Sequence, residues 1–146
     1  MSALRTVVHE GAVMALIRRG CEGAEPGVSF LTPNEYPLQV GILNHPAGTQ
    51  IKPHVHRDIH YEVNTTQEFI YVESGRIEII LYDDTWDEVT RDVLSGGDFV
   101  LFVSGGHSLK VLEESRMVEV KQGPYPGDAH AKVFPEHPVE LGQGRP

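Results

Sequence analysis

The sequence predicts a small all-β domain, built as an antiparallel barrel or sandwich. Three observations predict it. Apolar and polar residues alternate over short stretches from residue 37 to about 122, Gly, Asp and Asn punctuate those stretches at hairpin spacing, and no segment reads as a helix of useful length. With 146 residues the chain has the size of one domain, long enough to bury a single core.

Taken in order, residues 1–36 form an N-terminal arm with strands expected at Thr6–Val8 and Ala12–Ile17, followed by a Gly- and Glu-rich loop through Cys21 to Gly27. This arm is expected to add edge strands or to reach a partner subunit. Residues 37–122 carry the barrel, with strands at Leu38–His45, Gln50–His56, Gln67–Glu73, Arg76–Tyr82, Glu88–Leu94, Asp98–Val103, His107–Leu112 and Arg116–Lys121. Ser74-Gly75, Asp83-Asp84 and Ser95-Gly96-Gly97 supply residues that tolerate the tight dihedrals of hairpin turns. Residues 123–146 hold five of the ten prolines, which interrupt ladders and helices alike, so this segment reads as an extended arm.

Composition narrows the function. Twelve Lys and Arg against 21 Asp and Glu leave a net charge of −9, which repels phosphate backbones and anionic membranes, so no nucleic-acid or membrane partner is expected. The longest apolar run, Ala12–Ile17, is too short to cross a bilayer or to serve as a secretory segment. Cys21 is the single cysteine, which excludes an intrachain disulfide and a thiolate-rich metal site and points to a reducing cytoplasm. Histidine stands out, with eight copies.

His54 and His56 are one residue apart on an expected strand, so both imidazoles point to one face and can meet one metal ion. A chain of this composition would hold roughly 0.4 such pairs by chance, so the pair alone says little. Gly48 precedes it by the spacing G-x5-H-x-H, and Glu68 and Gly75 follow as x11-E-x6-G. Those added requirements lower the chance expectation to roughly 0.004. Gly97-Asp98 then opens a strand ending in Ser104-Gly105-Gly106-His107, a second glycine-rich turn with a fourth candidate ligand.

These two motifs resemble those of the cupin superfamily, over roughly residues 40–112. The resemblance implies a double-stranded β-helix, or jelly-roll barrel. It also implies one divalent transition metal (Zn, Fe, Mn, Ni or Cu) held by His54, His56, Glu68 and His107. Two departures stand out. Eleven residues, Arg57 to Gln67, separate His56 from Glu68 where the family has three or four, and Phe102-Val103-Ser104 lacks the usual proline before the glycine. Thr66-Gln67-Glu68, Ser104–His107 and Val118–Tyr125 are also similar to stretches of small bacterial cupins, some of them like proteins of surface-polysaccharide gene clusters.

Strand parity supports the ligand set independently. Ile70 and Val72 share the face of Glu68, and Leu109 and Val111 share that of His107, so both ligands are expected to point inward. Buried ligands of this kind need a partner, and three imidazoles with one carboxylate suit a transition metal better than Ca or Mg. His60 reads as a loop histidine near the barrel mouth, inside an insertion whose Asp58, His60, Tyr61 and Glu62 could contact a ligand. Gln67 should point away from Glu68 into a surface or hairpin contact. Glu119 and Lys121 alternate with Met117 and either line the pocket or form a solvated strand face. Tyr61, Tyr71, Trp86 and Phe102 read as packing residues, and His9, His45, His130 and His137 have no supporting spacing.

The expected function is binding of a small molecule in the barrel mouth. As an enzyme, the chain would be a metal-dependent oxygenase, isomerase or decarboxylase, with Glu62, His60 and Glu119 as acid or base candidates. The alternative is a non-catalytic protein that binds a sugar or small acid, linked to surface-polysaccharide or nucleotide-sugar metabolism. A histidine acid–base site without metal is the third reading. A homodimer is expected from the N-terminal strands, which need a partner edge.

Overall fold

The computed structural model describes residues 4–20 and 24–139, so Cys21 and Pro146 lie outside the described residues. Strands β1 (Leu4–His9) and β2 (Ala12–Arg18) form a hairpin closed by Glu10 and Gly11, both at positive φ (48° and 82°). Two successive residues at positive φ make a turn that matches the right-handed twist of the strands it joins. β2 does not lie at an edge. It pairs antiparallel with β7 (Phe99–Phe102), so the N-terminal arm is an integral part of the main sheet.

β5 (Glu68–Tyr82) is the axis of that sheet. One edge of β5 pairs first with β7 through Glu68–Tyr71 and then with β6 (Glu88–Ser95) through Arg76–Tyr82, while β8 (Gly106–Lys121) runs antiparallel to β5 along its length. The result is a curled antiparallel sheet, a half-barrel in the order β1-β2-β7-β5-β6 with β8 beside β5. β3 (Gly27–Phe30) and β4 (Gly41–Asn44) form a separate two-stranded sheet.

The Ser74-Gly75 hairpin expected from the sequence is a bend inside β5, and the two strands expected around residues 113–115 are likewise one strand, β8. Gly75 has φ 84°, and a Cβ there would lie 2.2 Å from the Glu114 carbonyl oxygen. The β5–β8 register shifts on both sides of it. A positive-φ glycine serves a bulge as well as a turn. Here the Ser95–Asp98 turn docks on the bend: Gly97 N–H donates to the Val72 carbonyl (2.8 Å) and Gly96 N–H to the Gly75 carbonyl (3.2 Å). The other two expected turns occur. Asp83 Oδ1 accepts from the backbone N–H of Thr85 and Asp87 (2.9 Å each), and Asp98 Oδ2 accepts from Ser95 N–H (2.9 Å).

The core gathers alternate residues of neighbouring strands: Ile70, Val72, Ile77, Ile79 and Leu81 from β5, Ala15 and Ile17 from β2, Val100 and Phe102 from β7, and Leu94 from β6. Ile70 and Val72 are buried as expected, but Leu109 and Val111 are 36% and 56% exposed. β8 is an outer strand with only β5 beside it among the described residues, so the face of its Leu109–Val111 stretch stays open. The strand expected at Gln50–His56 is also absent; residues 45–66 form no strand or helix and are exposed. The Pro-rich stretch after β8 contains one short helix, α1 (Asp128–Ala131). Among the described residues no helix is long and apolar enough to cross a membrane.

Candidate functional site

Glu68 opens β5 and lies opposite both Phe102 of β7 and Lys121 of β8. His107 follows the Ser104-Gly105-Gly106 turn, which is pinned to β2 by Ser104 Oγ donating to the Val13 carbonyl (2.8 Å) and Val103 N–H donating to the Met14 carbonyl (2.8 Å). Gly105 has φ 76°, and a Cβ at this position would lie 2.6 Å from the Met14 methyl. The glycines thus let the turn fold tightly over β2 and return His107 onto Phe102, whose ring it stacks on at 3.9 Å and 3°. This stack aims Nε2 of His107 at Glu68, 3.7 Å from Oε1.

Both side chains are largely shielded, at 28% and 16% exposure for His107 and Glu68. The facing His107 is the largest influence on Glu68 and holds its carboxyl below the ordinary range, against the opposing effect of burial; the charges of Lys121 and Lys132 act in the same direction. Lys121 places Nζ 3.8 Å from Glu68 Oε2, is also ion-paired with Glu119, and lies 4.9 Å from the centre of the Tyr125 ring. Lys121 is the more enclosed of the two, at 24% exposure and facing Glu68, while Glu119 is 45% exposed.

His54 and His56 lie together in the exposed segment 45–66, their rings edge to face at 5.2 Å. His54 Nδ1 is 2.8 Å from the Lys52 carbonyl, a contact that, in the tautomer donating from Nδ1, leaves Nε2 free to coordinate. The structure therefore joins the four expected ligands in two pairs. Among the described residues no group of three or more His, Cys, Asp or Glu side chains is gathered to hold a metal. The donor chemistry of each pair suits a transition metal, since each supplies imidazole nitrogen and one adds a carboxylate. His60 and Glu62 are exposed in the same segment as His54.

Gln67 departs from its expected surface role. It is 2% exposed, its N–H donates to Gln122 Oε1 (2.8 Å), and Gln67 Oε1 and Gln122 Nε2 are buried with no partner among the described residues. The Thr66-Gln67-Glu68 and Lys121-Gln122 stretches thus meet at the end of the β5–β8 ladder. The contact of Tyr125 with Lys121 was not legible in the sequence, because nothing in a Pro-rich arm marks which of its side chains fold back. No family model matches the chain, and no curated protein or solved structure matches it either.

Proposed function

We propose that the chain is a cupin whose barrel mouth binds a small molecule beside one divalent transition metal, with His54, His56, Glu68 and His107 as the ligands. The observation that carries this reading is the convergence of Glu68 and His107 to 3.7 Å from two separate motifs, on walls of different strands. The reading requires the His54–His56 pair to approach Glu68 and His107, and the exposed segment that bears it runs directly into Glu68. A divalent metal bound there would polarise an oxygen of the ligand. Lys121 would orient that ligand, and the Phe102 stack would hold the His107 ring. An oxygenase or isomerase activity is the proposed chemistry, in a cytoplasmic homodimer.

The test is elemental analysis and calorimetric metal titration of protein purified without an affinity tag. One metal per chain is expected, with affinity falling below the ~6.5 reference pKa of histidine, because the ligands must lose protons to coordinate. Substituting His54, Glu68 or His107 by Ala should each abolish stoichiometric binding. Full metal content in the His54→Ala protein would overturn the reading.

A further inference from the structure

We infer that the cleft between the β5–β6 turn and the C-terminal arm is a second binding site, one that takes a small quaternary-ammonium cation; the inference is independent of the metal-site reading above. The cleft measures about 640 Å³, and Trp86 of the turn faces Phe134, Pro135, Glu136, His137 and Pro138 of the arm across it. That volume suits a small molecule. Trp86 stands at φ 68°, in the left-handed region that disfavours a bulky side chain. A turn with no further duty takes Gly or Asn at such a position. Asp83 holds the conformation: its Oδ1 accepts from the backbone N–H of Thr85 and Asp87, and its carbonyl accepts from Trp86 N–H (3.2 Å). The indole lies against the start of β8, where a Cβ on Gly106 would meet Trp86 Cζ3 at 3.1 Å, and the Tyr82 ring is 6.2 Å away. Half of the ring is thus fixed on the sheet, and the rest is left to line the cleft.

The lining selects charge as well as size. No Lys or Arg lines the cleft, Glu136 stands in its wall, and Asp84 and Asp87 flank the Thr85-Trp86 pair that forms its other side. None of these three carboxylates is ion-paired among the described residues, so the cleft keeps an uncompensated negative charge in a chain of net charge −9. An anion is repelled there. The π faces of Trp86 and the exposed Phe134 attract a cation to the same place. Pro135 and Pro138 offer apolar contact, which suits methyl groups on the charged nitrogen better than N–H donors that need acceptors.

The experiment titrates choline, and the uncharged alcohol in which carbon replaces its nitrogen, into wild type, Glu136→Gln and Phe134→Leu by calorimetry. Trp86 is the single tryptophan of the chain, so its fluorescence reports on this cleft in parallel. Wild type should bind choline in the millimolar range with a change in Trp86 emission, and the alcohol about tenfold more weakly. Glu136 and Phe134 are both exposed, so their substitution leaves the core intact. Glu136→Gln should bind choline several-fold more weakly and the alcohol as wild type does. Phe134→Leu, which keeps an apolar side chain without a π face, should likewise lose affinity for choline and not for the alcohol. A variant that loses both ligands equally has a merely structural role, and that result overturns the inference. It is also overturned by absence of choline binding, by binding that leaves Trp86 emission unchanged, by equal affinity for the alcohol, or by unchanged choline binding in both variants. None of these outcomes involves the metal site.

Discussion

Arg5 and Asp92 stand on the first and last strands of the path β1-β2-β7-β5-β6, yet Arg5 Nη1 lies 2.8 Å from Asp92 Oδ2. β7 pairs with the Glu68–Tyr71 half of β5 and β6 with its Arg76–Tyr82 half, so this contact joins strands on the two sides of the bend in β5. Their contact measures the curl of the sheet, and Arg19 at the end of β2 ion-pairs with the same Asp92 and, at 3.1 Å, with Asp98.

Asp92→Ala should therefore cost more than loss of either arginine. Arg5 and Arg19 are 51% and 45% exposed, so each pair contributes no more than about 1 kcal/mol, and the network about 1–2 kcal/mol. Urea denaturation of Asp92→Ala, Arg5→Ala and the double variant checks this. The double variant should be less destabilised than the sum of the singles, and 1 M salt should narrow the gap to wild type. Strict additivity would show that the two side chains do not interact.

Gly75→Ala should be among the most damaging single-methyl additions in the chain. The new Cβ would meet the Glu114 carbonyl oxygen at 2.2 Å and the backbone stands at φ 84°, so both packing and torsion oppose it. A cost of about 2–4 kcal/mol is expected. Gly97→Ala is the control, with φ 94° and nothing within 4 Å of its added Cβ; torsion alone should cost about 1–2 kcal/mol. Thermal melts of the two variants decide it, and equal losses would remove the bulge at Gly75 as the cause.

Glu68 should make the metal-free protein acid-sensitive. Its carboxyl is held below the ordinary range by His107 first, with Lys121 and Lys132 assisting, so the folded state binds its proton less readily than the unfolded chain. The stabilisation is complete above the unfolded value of about 4.3 and is lost as pH falls through the lower folded value. Glu68→Gln should accordingly show less loss of stability than wild type over that acid window. Parallel urea midpoints at every pH from 6 to 3 would contradict the assignment.

His60→Ala should retain the metal while changing ligand affinity or turnover. His60 is exposed in the segment that carries His54 and His56, outside both ligand pairs. Metal content and ligand titration of the variant test this, and loss of metal would make His60 a ligand.

Local chemistry written in the sequence determined the all-β class, the N-terminal strands, and the turns at Asp83 and at Ser95–Asp98. Alternation and turn residues act over a few positions, and the structure follows them there. Strand parity held at Glu68, whose face-sharing neighbours Ile70 and Val72 are buried, and failed at His107, whose neighbours Leu109 and Val111 are exposed. Tertiary structure alone decided whether Ser74-Gly75 turned or bent. A glycine at φ 84° suits either outcome, and β8 pairing along both halves of β5 selected the bend. It also decided that Gln50–His56, alternating as it does, has no ladder, because an extended segment becomes a strand only where another edge meets its backbone hydrogen bonds. The burial of Gln67, the exposure of Leu109 and Val111, and the approach of Lys121 to Glu68 were settled in the same way. Each depends on which strand lies alongside, a relation between distant residues that no local pattern encodes.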